Sequence, residues 1–344
     1  MGSFANTCAR IIKADSLILL AVAAALFGLA TASQSQDQQQ PAVFSARQLS
    51  DAVELRDLAL SSADAFRHVA SLTMEVGPRL AGTLGDKAAV AWALSTMREL
   101  GLQNVRAEDV IVPHWERGDI DIRITMPYPQ TLVAAALGSS IGTPADGIEA
   151  PVIRVADLDE LSAIPDAEVA GKIVFFDRRM QPSKDGADYS LTVKARREGP
   201  AKAAAKGAIA VIVRSVGTSS ARLPHTGKTT YDDAIRRIPA AAISNPDADM
   251  LAMQLARGEA VTVRMTLGAR YLADERSANV IGEIRGASRP DEIVLLAAHL
   301  DSWDLGTGAI DDAAGVGIVL ETLSQIIRSG KKPARTIRVL LAAG

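Results

Sequence analysis

Two nearly all-apolar segments towards the end of the sequence constrain the fold most strongly. Residues 292–299 read EIVLLAAH, and residues 336–343 read TIRVLLAA. A strand without alternating polar residues is expected to be buried on both faces, as in the centre of a sheet that helices cover. Between the two segments, residues 313–328 carry apolar side chains at helical spacing: Val316, Val319, Leu320 and Leu323. The order strand, helix, strand predicts a βαβ crossover and therefore an α/β fold.

Helical and strand patterns also alternate upstream of this crossover. We expect helices at 48–74 and 86–100, followed by strands at 104–112 and 119–126. Further short strands are predicted at 149–157, 171–177, 209–215, 238–244 and 261–267, with a polar loop near 180–194 and an Ala/Lys-rich helix near 195–206. The region 135–268 is therefore expected to form a small α/β unit of its own, which is long enough to bury a core.

The first residues have the order of a secretory signal. Arg10 and Lys13 precede an apolar run at 17–30, and small residues follow at Ala30 and Ala32. The run is shorter than the roughly 20 residues that span a bilayer, although a single N-terminal anchor is an alternative. We expect a signal peptide at 1–32, a disordered Gln-rich spacer at 33–47, and a secreted or periplasmic protein without a membrane segment after cleavage.

Charge and cysteine content exclude several classes of protein. Thirty-seven basic and forty acidic residues give a net charge of −3, which does not favour nucleic-acid binding. Cys8 is the only cysteine, so a disulfide framework and a thiolate zinc site are excluded. A serine hydrolase is not favoured either, because no Gly-x-Ser-x-Gly elbow is present. A metal in this protein would have to be held by His, Asp and Glu.

Residues 299–315, HLDSWDLGTGAIDDAAG, concentrate the polar chemistry. His299 ends a predicted buried strand, which is where ligands bind in open α/β sheets. Asp301 lies on the same side of the extended chain and could accept the imidazole N–H, orienting the other ring nitrogen towards a metal. Asp311 and Asp312 begin the next helix, so one of these carboxylates could cap it while one reaches back to His299. The combination favours a metal site over capping alone.

This segment resembles the metal-binding segment of the co-catalytic zinc exopeptidases, a family that includes aminopeptidases and glutamate carboxypeptidases. The form of the motif is similar to that of the carboxypeptidase Q branch. Other matching stretches are GPRLAG (77–82), VPHWERG (112–118), RSVGTSSARLPHTG (214–227), IPAAAIS (238–244) and SANVIGEIRG (277–286). The resemblance implies a mixed sheet covered by helices, with a peptidase domain at 48–134 and 269–344. It also implies that 135–268 is an inserted protease-associated domain.

The same resemblance implies roles for individual residues. His299 would bind one zinc ion, Asp311 would bridge two zinc ions, and Asp301 would orient His299 in the catalytic site. In the family, two adjacent glutamates, a general base and a zinc ligand, follow the strand that corresponds to 336–343. Because this sequence ends at Gly344, we expect an N-terminal fragment that is truncated in its zinc-binding part. Such a fragment is expected to have little or no activity alone.

The function predicted from the sequence is a secreted zinc-dependent exopeptidase that hydrolyses dipeptides or short peptides with a metal-activated water. The alternative is a non-catalytic binding protein with protease-associated and peptidase-like domains. The presence of His299, Asp301 and Asp311 together favours the enzyme. A peptide substrate is the expected partner, and a homodimer is left open. Other candidates are weaker: His68, His114 and His225 are interpreted as structural or loop histidines, and the basic residues at 194–206 as a solvated helix face.

Overall fold

The computed structural model describes residues 44–344, which fall into two units. In the first unit the described part is helix α1 (Ala46–Ser61), which has no buried residue. The second unit begins at Ser62 and contains all the other elements. The predicted signal peptide and most of the predicted spacer lie outside the described residues. Only the last residues of that spacer are described, and Ala46 already belongs to α1.

Within residues 62–344 the chain forms further helices and strands. The helices are α2 (Asp64–Ser71), α3 (Leu84–Glu99), α4 (Leu158–Ala163), α5 (Asp166–Val169), α6 (Ala187–Ala205), α7 (Asn245–Leu255) and α8 (Ala314–Arg328). The strands are β1 (Gln103–Val112), β2 (Trp115–Glu116), β3 (Ile120–Met126), β4 (Gln130–Leu132), β5 (Ala134–Ala136), β6 (Ile148–Val155), β7 (Ile173–Phe176), β8 (Ala210–Arg214), β9 (Ala240–Ile243), β10 (Thr262–Leu267), β11 (Arg270–Tyr271), β12 (Glu275–Ile284), β13 (Arg289–His299) and β14 (Arg335–Ala342).

The helix predicted at 48–74 is divided in the structure. α1 ends at Ser61, α2 starts at Asp64, and a π-helical turn (Leu72–Val76) follows. Ser62 accounts for the new start, because its hydroxyl accepts a hydrogen bond from the backbone N–H of Asp64 at 3.1 Å. The second predicted helix corresponds to α3, which ends before Gly101, a glycine with φ of +79°.

The first sheet has four strands in the order β1-β12-β14-β13. β12 pairs antiparallel with both of its neighbours, whereas β13 and β14 are parallel and joined by α8. This confirms the predicted βαβ crossover. Residues of α3 and α8 share one apolar core with the sheet, including Met97, Leu320 and Val339, each fully buried.

The prediction that both apolar strands are buried on both faces is wrong for β13. Ile293, Val294 and Leu295 are 46%, 43% and 54% exposed. The reason is the position of β13 at the edge of the described sheet, where it has a hydrogen-bonded neighbour on one side only. In β14, which lies inside the sheet, Val339 and Leu341 are fully buried.

The second sheet lies between β1 and β12 in the chain and has eight strands in the order β4-β3-β10-β6-β7-β8-β9-β5. β6 to β9 are parallel, and the others pair antiparallel. Two separate apolar clusters pack against this sheet. The mixed α/β fold with an inserted α/β unit is therefore confirmed. Since this sheet already includes β3, the exact limits 135–268 stay a prediction, and α6 occupies much of the predicted loop at 180–194.

The chain enters and leaves the inserted unit through two neighbouring segments. β2 pairs with β11, and the backbone N–H of Gly268 donates to the carbonyl of Asp119 at 2.8 Å. A Cβ on Gly118, which has φ of +62°, would overlap the backbone of Gly268, so the crossing requires a glycine there. Among the helices within residues 44–344, none has the length and apolar character needed to cross a membrane.

Candidate functional site

The site forms at the carboxyl ends of the two parallel strands β13 and β14. His299 is the last residue of β13 and lies opposite Ala342 of β14. Its Nδ1 is 2.9 Å from Asp301 Oδ1, and its Nε2 is 2.9 Å from Asp311 Oδ1. The structure therefore brings together all three residues that the sequence analysis singled out. Their roles as ligands and as an orienting residue stay predictions.

The two adjacent aspartates lie in the π-helical turn Ala309–Ala313 just before α8, and they differ in their contacts. Asp312 accepts hydrogen bonds from the backbone N–H groups of His299 and Gly315, each at 3.1 Å, and so caps the first turn of the helix. Asp311 makes no such cap, and its side chain is 71% exposed beside the His299 ring. The peptide bond between the two aspartates is cis. Of the two carboxylates left open by the sequence, Asp311 is the one available to a ligand.

The three carboxylates determine the electrostatics of the imidazole. The hydrogen bond to Asp301 raises the pKa of His299 to about 9, and the negative charges of Asp301, Asp312 and Asp311 add to this effect against the opposing influence of burial. The ring is therefore protonated at neutral pH when Nε2 binds no metal. A divalent cation at Nε2 would have to displace that proton.

Arg79, a fully buried residue, supports the loop that follows His299. Its Nε donates to the carbonyl of Leu300 at 2.5 Å, its Nη1 to that of Thr307 at 2.5 Å, and its Nη2 to that of Gly308 at 3.1 Å. A backbone hydrogen bond also connects the two segments: the N–H of Ser302 donates to the carbonyl of Arg79 at 3.2 Å. No role was predicted for Arg79 from the sequence, although a single basic residue in the otherwise apolar stretch GPRLAG was a signal.

Trp303 and Asp304 connect this loop to the inserted unit. The Arg117 guanidinium donates from Nε to Asp304 Oδ2 at 2.9 Å and lies 5.5 Å from the ring centroid of Trp303. It also donates to the carbonyl of Ala136 in β5. Trp303 packs directly on Gly138, where a Cβ would overlap the indole ring. No role was predicted for these residues from the sequence, because Arg117 and Asp304 lie 187 positions apart.

A cleft of about 890 Å³ opens beside Asp301, the hydrogen-bond partner of His299. Asp301, Trp303 and Gly344 line it from the first sheet, and Arg196 and Lys228 line it from the inserted unit. Its volume lies within the range of small-molecule sites. The interpretation of 194–206 as a solvated basic face is wrong for Arg196, which is only 7% exposed.

The donor chemistry of His299 and Asp311 fits zinc, which takes imidazole nitrogen and carboxylate oxygen. The number of ligands, however, is smaller than a zinc site requires. Within residues 44–344 there is no group of three or more His, Cys, Asp or Glu side chains arranged to hold a metal ion. A catalytic zinc ion usually has three protein ligands, and the described residues supply two.

The other histidines have separate surroundings. His68 lies in α2, and His114 precedes β2 with its Nε2 4.0 Å from Glu116 Oε1. His225 lies in the loop after β8, where its backbone N–H donates to Ser215 Oγ at 2.7 Å and its Nδ1 is 3.3 Å from Arg196 Nη1. The structure does not bring any of the three into contact with His299 within the described part of the chain.

The fold and the site together define a peptidase-type α/β protein with an inserted PA domain. Residues 279–344 match the model of peptidase family M28, and residues 130–251 match the PA domain. The crystal structure of a peptidase M28 precursor from Shewanella amazonensis SB2B is 45% identical, with a TM-score of 0.84 over 86% of this chain and 67% of that one. The chain belongs to peptidase family M28, which confirms the resemblance seen in the sequence.

Two further relatives bear on the comparison. Bovine (Bos taurus) carboxypeptidase Q is 40% identical over 277 residues, which cover 80% of this chain and 57% of the relative. This chain thus spans little more than half the length of that curated relative. The structure of BSAP, a zinc aminopeptidase from Bacillus subtilis, is 21% identical with a TM-score of 0.56, covering 81% of this chain and 60% of that one. That likeness shows the shared fold.

Proposed function

We propose that this chain carries the first metal-binding residues of a secreted zinc-dependent exopeptidase that hydrolyses dipeptides or short peptides. The observation that carries the proposal is the position of His299 between Asp301 and Asp311 at the carboxyl ends of β13 and β14. The names of the relatives, a carboxypeptidase and a zinc aminopeptidase, support peptide hydrolysis but differ on which end of the substrate is cleaved.

In this proposal each of the three residues has one task. His299 would hold one zinc ion through Nε2, and Asp311 would be the carboxylate shared by two zinc ions. Asp301 accepts the Nδ1 proton and so fixes the tautomer that presents Nε2 to the metal. Zinc, when bound, polarises the scissile carbonyl and lowers the pKa of a bound water towards 7.

The ligand count supports little or no activity for residues 44–344 alone, because two protein ligands hold zinc weakly. β14 runs parallel to β13, so its carboxyl end lies beside His299, and Gly344 lies next to Asp301. In longer relatives the residues after this point would emerge at the same edge. We place the family's general base and remaining zinc ligands there.

Zinc titration of the full chain tests the proposal. Calorimetry should show that His299→Gln and Asp311→Asn each weaken zinc binding at least about tenfold, because even the loss of a residue that only orients a ligand typically costs about 10–100-fold. Asp291→Asn is the matched control, because this exposed aspartate lies at the opposite end of β13. Equal zinc affinity in all four proteins would exclude the proposed ligands and favour the non-catalytic binding protein instead.

A further inference from the structure

The cleft beside the site is strongly cationic on the side of the inserted unit. Arg196, Arg197, Lys228 and Arg237 line it, whereas Asp301 has the one acidic side chain among the described lining residues. None of the four cations forms an ion pair with a carboxylate of residues 44–344, while most arginines elsewhere in the inserted unit do. An unbalanced group of positive charges in a cleft attracts and retains anions.

Arg196 is the most informative of the four because it is buried. None of its hydrogen-bond partners within residues 44–344 is a carboxylate: they are the carbonyl of Thr226 at 3.1 Å, the hydroxyl of Tyr189 at 3.2 Å and the ring of His225 at 3.3 Å. Its Nε is buried and has no partner in the described part of the chain. A buried charge normally has a counter-charge, so this guanidinium lacks the anion that would satisfy it.

The surrounding loop fixes the guanidinium in this position. A Cβ on Gly227 would overlap the Arg196 side chain, so the loop backbone packs directly against it. The same loop is anchored on both sides. Gly138 N–H donates to the Gly227 carbonyl at 2.8 Å, and Thr230 N–H donates to the Arg197 carbonyl at 2.7 Å. A positive group held in place in advance loses little freedom when it binds a ligand.

Arg237 adds a second cation with aromatic neighbours. Its guanidinium lies 5.1 Å from the Tyr231 ring centroid and 5.4 Å from that of Tyr271, and its Nη1 donates to the Ser139 carbonyl at 3.1 Å. Lys228 is exposed on the loop between these arginines. Planar guanidinium groups are suited to bidentate recognition of carboxylates, and the aromatic rings offer apolar surface to the rest of a ligand.

We propose that this cleft is a carboxylate subsite, in which Arg196 and Lys228 bind a carboxylate of the peptide substrate and Arg197 and Arg237 reinforce the positive potential. The proposal rests on the proposed function, since it takes the substrate to be a peptide. The carboxylate could be the free carboxyl terminus or an acidic side chain, and the two sources share the same chemistry. The neighbouring Asp301 places the subsite next to the proposed metal ligands.

Binding of three non-hydrolysed probes to the full chain tests the subsite without requiring activity. The probes are N-acetyl-Ala-Ala, its carboxyl-terminal amide, and N-acetyl-Ala-Glu amide, measured by calorimetry without added metal. One of the two acids should bind at least about tenfold more tightly than the neutral amide, the gain expected from hydrogen bonds to a charged group. The acid that binds identifies the source of the carboxylate. Binding should weaken as salt is added.

Variants show whether the named residues carry this preference. Arg196→Gln and Lys228→Gln should each reduce it at least about fivefold, and Arg196→Lys should restore part of it, as expected for charge-assisted hydrogen bonds. Lys194→Gln is the matched control, because it removes one charge from the same helix outside the cleft. Circular dichroism checks folding, and Lys228→Gln keeps the test decisive if Arg196→Gln unfolds.

Equal affinity for the acids and the amide would overturn the subsite, and so would no binding of any probe at millimolar concentration. If Lys194→Gln loses the preference for the acid to the same extent, the preference comes from the general positive charge of the region, and the subsite is overturned as well. Failure of the proposed function is distinguishable. Zinc titration can fail while the carboxylate preference is intact, because the probes bind here without metal or turnover.

Discussion

Two buried arginines have different surroundings: Arg79 lies behind the loop that follows His299, and Arg196 lines the cleft from the inserted unit. Arg79 is enclosed by the carbonyls of the loop after His299, and the negative charges of Asp301, Asp312 and Asp311 oppose the lowering of its pKa by burial. Within residues 44–344, Arg196 has no carboxylate partner, and its Nε has no hydrogen-bond partner. The difference indicates that one arginine holds the structure together, whereas the other is kept ready for a ligand.

The largest effect should come from removing Arg79. Arg79→Gln leaves the carbonyls of Leu300, Thr307 and Gly308 without their donor, so the free energy of unfolding should fall by at least about 3 kcal/mol. Urea unfolding followed by circular dichroism measures it. Arg98→Gln, an exposed arginine on α3, should change stability by less than about 0.5 kcal/mol. A mild effect of Arg79→Gln would remove the contrast between the two arginines.

Most of the first sheet could be predicted from the sequence, but the different surroundings of Arg79 and Arg196 could not. Apolar segments and helical spacing predicted the crossover, and His-x-Asp at a strand end predicted the contact between His299 and Asp301. The position of β13 at an edge depends on strand order, which periodicity does not encode. The burial of Arg196 did leave a signal, because Thr192, Ala195, Gly199 and Ala203 form a stripe of small buried residues around it. The missing carboxylate could be seen only in three dimensions.

The two regions meet at Gly138, which contacts the Trp303 ring and hydrogen-bonds the loop that holds Arg196. Gly138→Ala should lower the free energy of unfolding by about 1–3 kcal/mol, because the methyl group overpacks against the indole. Gly306→Ala is the control, since a Cβ there meets open space. Equal stability of both variants in urea would show that Trp303 is not seated on Gly138.

A smaller, pH-dependent effect is expected on the Arg79 side. Because the pKa of His299 is raised to about 9, its protonated form stabilises the metal-free fold below pH 6.5, and this stabilisation is lost between pH 6.5 and 9. Urea midpoints measured with a chelator should therefore fall over this window. The fall should be smaller in Asp301→Asn, which removes the main cause of the shift. A steeper fall in that variant would contradict the assignment.

The smallest change in stability should come from replacing Arg196. Arg196→Met exchanges an incompletely paired buried charge for an apolar side chain, a kind of change that is often neutral or stabilising, so the free energy of unfolding should stay within about 1 kcal/mol or rise. Arg214→Met is the contrasting control in the same unit. Arg214 is buried and paired with Asp177 and Asp249, so its loss should cost about 3–5 kcal/mol. If Arg196→Met is instead as destabilising as Arg214→Met, then Arg196 is a structural residue like Arg79, and its lack of a carboxylate partner within residues 44–344 is no sign of a ligand.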